Sequence, residues 1–174
     1  LSTTREDRIR ETSVSVYGDV EIAFSERFRT TVGLRGDVYD WDVSAFKPEN
    51  GGSGDDALVS PKINSAYRLG DGLETYASWG RGFHSNDVRG ATITIDPVWG
   101  VPLVWVFALV VSEGAVLGLR YERGDAFIAT VFGFWLALDS EFVFVGDAGC
   151  TEPNDGSERN GLEATVFWQA SERW

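Results

Sequence analysis

Two-residue periodicity constrains this sequence more than any other feature. Along residues 13–25, Val14, Val16, Gly18, Val20, Ile22 and Phe24 fall on one side and Ser13, Ser15, Tyr17, Asp19, Glu21, Ala23 and Ser25 on the other. Successive side chains of a strand point to opposite faces, so the run predicts a strand with one apolar and one polar face. After Glu26 and Arg27 the alternation resumes, with Phe28, Thr30, Val32, Leu34, Gly36 and Val38 against Arg29, Thr31, Gly33, Arg35, Asp37 and Tyr39. Two such runs joined by a short polar turn predict a hairpin.

The rhythm recurs along the chain. Ile63, Ser65, Tyr67 and Leu69 oppose Lys62, Asn64, Ala66 and Arg68, and beyond the turn at residues 70–72 Leu73, Thr75, Ala77 and Trp79 oppose Glu74, Tyr76, Ser78 and Gly80. Ala115, Leu117, Leu119 and Tyr121 oppose Gly114, Val116, Gly118 and Arg120, and Leu162, Ala164, Val166 and Trp168 oppose Glu163, Thr165 and Phe167. The stretch from Phe127 to about Val145 is apolar on both faces, which leaves its register unassigned. These segments predict an all-β antiparallel meander of about seven strands.

Loop lengths narrow the architecture further. Tight turns at residues 25–27, 70–72, 122–125 and 171–174 alternate with long polar segments at 44–57, 84–102 and 146–160. Short turns at one end and long loops at the other mark an outer-membrane β-barrel. Aromatic residues gather beside the tight turns, namely Phe24, Phe28, Tyr67, Tyr121, Phe127, Trp168 and Trp174, as an interfacial girdle requires. The most apolar run, residues 98–111, is broken by Gly100 and Pro102 and falls short of the roughly 18 residues of a spanning helix. Seven strands with termini on opposite sides cannot close, and the sequence starts at Leu1 without any methionine, so a segment of a larger barrel is expected.

Charge and composition exclude other classes. A net charge of −12 opposes binding to a phosphate backbone, so no nucleic acid partner is expected. Cys150 and His84 are the sole members of their types, which excludes an intrachain disulfide and any metal centre built on cysteine or histidine. Asp55, Asp56, Glu152 and Asp155 make two long segments acidic, but EF-hand spacing is missing, so solvated loop charges are expected and no cofactor.

The stretch GRGFHSND at residues 80–87 resembles the barrel of a TonB-dependent outer-membrane receptor. VSPKINSAY (59–67), LETYASWGRGF (73–83), LDSEFVFVGDAG (138–149) and NGLEATVFW (160–168) resemble successive strands of the same family, in order and spacing. The resemblance covers most of the chain. It implies that residues 1–174 form part of a barrel of about 22 strands, with the plug domain and remaining strands outside the sequence. It further implies a location in the outer membrane of a Gram-negative bacterium and uptake of a scarce nutrient such as a ferric siderophore. The partners it implies are membrane lipid, the plug of the same parent chain, the TonB complex acting through the missing N-terminal part, and a small-molecule solute. Val116 and Ala137 stand where the family carries acidic residues, so lumen charge is expected to be lost on two neighbouring strands.

His84 and Asp87 suggest a hydrolytic pair, yet no nucleophile is identifiable beside them, and a transporter rather than an enzyme is expected. Arg81, His84, Asn86, Asp87 and Arg89 are the candidates for contact with solute or plug, because loops on a rigid scaffold commonly carry binding groups. The plainer reading of the same residues is a loop root held by Arg–Asp pairing. Arg29, Arg35, Lys62, Arg68 and Arg120 share the expected lumen face with Asp19, Glu21, Asp37, Glu74 and Glu163. The alternative fold is a soluble antiparallel β-sandwich binding carbohydrate or protein, with Trp41, Trp79 and Trp135 as core or contact residues.

Overall fold

The alternating runs become seven strands: β1 (Arg8–Ala23), β2 (Phe28–Ser44), β3 (Gly52–Gly70), β4 (Leu73–Ser85), β5 (Leu109–Arg123), β6 (Phe127–Val145) and β7 (Cys150–Trp168). The computed structural model describes residues 6–96, 99–145 and 150–171. The strands pair in chain order as one antiparallel sheet, and among the described residues no ladder joins β1 to β7. At two tight turns the chain needs the left-handed region, which Gly72 (φ 70°) and Gly124 (φ 55°) supply without a Cβ clash. At the first turn the Ser25 hydroxyl accepts from the backbone N–H of Arg27 and of Phe28.

Register carries the apolar faces into continuous rows. Val20, Val32, Ile63, Trp79, Ala115, Trp135 and Asn160 form one row across all seven strands. The next row towards the tight turns is Ile22, Thr30, Ser65, Ala77, Leu117, Gly133 and Leu162. Among the described residues no second sheet covers this surface: Val14 is 69% exposed, Leu117 65% and Leu162 79%. A sandwich buries one face of each sheet, but the described residues form a single sheet. The exposed apolar rows instead present the surface of a wall.

Expectations for the loop extents and for Ala137 change. Residues 52–57 and 150–160, expected in long loops, extend β3 and β7, and residues 45–51 lie between β2 and β3. Polar residues pair as well as apolar ones where a hairpin projects into water, so hydropathy alone places the strand ends too low. The register of β6, which the sequence left open, puts Ala129, Val131, Gly133, Trp135 and Ala137 on the apolar outer surface and Thr130, Phe132, Phe134, Leu136 and Leu138 on the opposite one. Ala137 therefore lies in the outer row between Glu113 and Glu158 and is not a lumen position, whereas Val116 is one. Of the expected turn aromatics, Trp174 lies outside the described residues, as do residues 146–149.

Candidate functional site

The polar face is organised by cross-strand pairing. Arg29 on β2 donates from its two terminal guanidinium nitrogens, Nη1 and Nη2, to Glu74 on β4, at 2.7 and 2.8 Å, reaching across β3. Lys62 on β3 donates to Asp19 on β1 at 2.9 Å over Gly33, whose missing side chain leaves room for the lysine stem. Arg35 is paired with Asp37, and Arg120 with Glu122. Near the tight turns this face holds a recess of about 520 Å³ lined by Arg29, Arg68, Leu73, Glu74, Arg120 and Glu122. Glu21 and Glu163 belong to the same face, in rows with Thr31 and Phe132. Mixed, paired charges suit a water-filled interior and would be costly against lipid.

Large rings on this face lie over glycines of the neighbouring strand. A Cβ at Gly118 would meet the phenol of Tyr76, one at Gly161 would stand 2.7 Å from the ring of Phe134, and one at Gly54 2.6 Å from Trp41. The slots keep the rings flat along the wall. Sequence reasoning missed them, because alternation assigns a residue to a face without saying which residue stands beside it.

Beyond the rows just described, the segment between β4 and β5 folds onto the polar-face side of β2. Val88, with no exposed surface, packs with Trp41, Val43 and Ala108. Asn50, in the 3-10 turn Pro48–Asn50, anchors the segment: its Oδ1 accepts from the N–H of Thr94 and of Ile95, both at 3.0 Å, and its Nδ2 donates to the Ile95 carbonyl. Asn50 was not singled out from sequence, although an Asn beside a proline turn is the signal that could have found it.

The five candidates do not converge on one site. Arg81 pairs with Glu113 one step beyond Trp79, on the outer surface. His84 is half-buried, pairs with Val110 and belongs to the polar-face side of β4. Asn86 is buried, donates to the Phe107 carbonyl at 2.8 Å, and its N–H bonds to the Ala108 carbonyl. Asp87 caps the short helix α1 (Val88–Thr92), accepting from the Arg89 N–H at 3.0 Å and pairing with the Arg89 guanidinium. The hydrogen bond to Asp87 raises the Arg89 pKa above its ordinary value. These contacts make Asn86, Asp87 and Arg89 the root of a loop. The loop carries exposed apolar residues, Trp99, Val101, Val104, Trp105 and Phe107, with the rings of Trp105 and Phe107 edge to face. Among the described residues no group of three or more His, Cys, Asp and Glu could hold a metal ion.

A family model described as "TonB dependent receptor-like, beta-barrel" matches residues 2–174. A search of characterised proteins by sequence finds no match. Among solved structures, the copper transporter OprC superposes with a TM-score of 0.70 at 18% identity, over 94% of this chain and 28% of that one. The ferric yersiniabactin uptake receptor FyuA from Yersinia pestis gives 0.69 at 17% identity, over 95% and 25%. The alcaligin outer-membrane receptor FauA from Bordetella pertussis gives 0.66 at 15%, over 95% and 28%. At these identities the likeness is one of fold, and the chain spans about a quarter of the length of the structures it matches.

Proposed function

The chain belongs to the TonB-dependent receptor-like β-barrel family, and from that premise we propose that it forms part of a wall through which a scarce nutrient, such as a ferric siderophore, is taken up. Barrels of this family lie in the outer membrane of Gram-negative bacteria, and this chain is placed there with them. Its seven strands amount to roughly a third of a barrel of about 22. The rest of the barrel, a plug within the lumen and energy from a TonB complex belong to the parent receptor in this reading. The family and its neighbours are receptors and transporters, and the same reading assigns no reaction to the chain.

One observation carries the proposal: a single sheet with exposed apolar rows on one side and ion-paired charges on the other. A wall between hydrocarbon and water needs that asymmetry. In the same reading His84 and the loop rooted at Asn86, Asp87 and Arg89 face solute or plug from above, and the apolar residues at 99–107 enlarge that contact surface.

Accumulation of a labelled ferric siderophore by iron-limited cells expressing the parent receptor tests the function. The expected result is uptake abolished by a protonophore and reduced severalfold when residues 99–107 are deleted. Uptake unchanged by loss of the whole receptor contradicts it.

A further inference from the structure

The outer surface of β4–β7 carries charges as well as apolar rows, and their arrangement is regular. Arg81, Glu113, Ala137 and Glu158 form one cross-strand row, directly beyond the row of Trp79, Ala115, Trp135 and Asn160. Each tryptophan reaches diagonally to the carboxylate on the next strand. The Trp79 indole N–H donates to Glu113 at 2.8 Å, and that of Trp135 donates to Glu158 at 2.7 Å. The same pair thus occurs twice, two strands apart, at the same step of the sheet.

Below these pairs the outer surface is apolar down to the aromatic residues beside the tight turns, where the rings of Tyr121 and Phe127 lie tilted to one another with centroids 6.1 Å apart. The eight steps from Phe127 to Trp135 span about 20 Å along the membrane normal, at ~3.3 Å per residue and a tilt of roughly 40°, close to the ~25 Å apolar band of such barrels. Above them the row is charged. An indole in hydrocarbon leaves its N–H without a partner, and a carboxylate there is expensive. The pair is favourable where the ring body meets acyl chains and its polar edge meets water.

We propose that Trp79–Glu113 and Trp135–Glu158 are paired anchors for the headgroup layer of the external leaflet, with Arg81 in the same charged row meeting headgroup phosphate. The occupant is a lipid surface, because the rows beneath are continuous with the lipid-facing wall. The proposal rests on the outer-membrane reading above. It moves Arg81 from solute or plug contact to lipid contact.

The test uses the parent receptor labelled with fluorotryptophan and reconstituted in phosphatidylcholine vesicles, with Trp79→Phe and Trp135→Phe assigning the two fluorine NMR signals. Nitroxide lipids labelled near the headgroup are expected to broaden both signals about twofold more than lipids labelled at the chain end, as interfacial rings require. Glu113→Gln is expected to shift the Trp79 signal alone and Glu158→Gln the Trp135 signal alone. Stronger broadening by the chain-end label, or shifts that ignore the pairing, overturns the anchors. A fluorinated probe on Leu117→Cys serves as control: broadening by the chain-end label there upholds the wall, and its absence overturns the wall and the anchors together.

Discussion

Glu74 shows what a single side chain contributes to the polar face. Its bidentate pair with Arg29 links β2 to β4, but Arg29 is almost half exposed, so water screens the pair. A double-mutant cycle with Arg29→Ala and Glu74→Ala, read from denaturant unfolding of the parent barrel, should give a coupling of about 0.5–1 kcal/mol. A coupling of several kcal/mol would mean a drier interior than the one described. Glycines under rings respond by what stands over them. At Gly118 an added methyl would meet the Cβ of Phe132, at 2.8 Å, which is tied to the backbone, besides the phenol of Tyr76. At Gly161 it would meet only the Phe134 ring, its far end at 2.7 Å and Cδ1 at an ordinary 3.7 Å. Gly118→Ala should therefore cost about 1–3 kcal/mol and Gly161→Ala less than about 1 kcal/mol; the reverse order in unfolding midpoints would refute the placement. Faces were legible in the sequence at these positions, since Arg29, Lys62 and Glu74 fall on the polar side by counting alone. Their partners were not, because pairing depends on register across strands far apart in the chain.

Strands reveal their alternation only where their two faces meet different media. In β1 and β2 they do, and the sequence pattern matches the observed ladder residue for residue, with Val14 beside Val38 and Val20 beside Val32. Arg in place of Val20 or Val32 should impair insertion of the parent barrel, by about 2–4 kcal/mol near the midplane, while Arg at Ser15 or Thr31 should be tolerated. Heat-modifiable mobility of the extracted receptor reads the difference, and equal tolerance at both pairs would overturn the register. β6 hid its register because Phe132, Phe134 and Leu136 make its inner face as apolar as Val131 and Trp135 make its outer one. The ends of β3 and β7 hid for the opposite cause, since residues 52–57 and 150–160 are polar without alternating between an apolar and a polar side. The segment between β4 and β5 depends on Asn50, which satisfies two N–H groups and a carbonyl of that segment. Asn50→Ala leaves those groups unpaired, a local cost of about 1–3 kcal/mol, and should speed chymotryptic cleavage at Trp99, Trp105 or Phe107 severalfold while the strands stay resistant. Unchanged cleavage would show that the segment is held otherwise.

At the scale of the molecule, the sheet is a boundary with different chemistry on each side. Among the described residues its apolar rows have no protein layer against them, and its cross-strand ion pairs, Arg29–Glu74 and Lys62–Asp19, lie on the other face. The family membership supplies the two media that such a boundary separates. The class of fold was legible from alternation and from the spacing of tight turns, whereas the two Trp–Glu pairs, the glycine slots and the Asn50 anchor arise only when seven strands are brought into register. The most direct test is cysteine accessibility along β2 in the intact parent receptor, replacing each residue from Thr30 to Val38 in turn. Inward positions that the structure leaves open, Thr31 and Arg35, should react with a charged maleimide, and outward ones, Val32, Leu34, Gly36 and Val38, should react only with a lipid-soluble one; Thr30, Gly33 and Asp37 are buried and serve as unreactive controls. Uniform reactivity along the strand, or protection of both sets, would contradict the account.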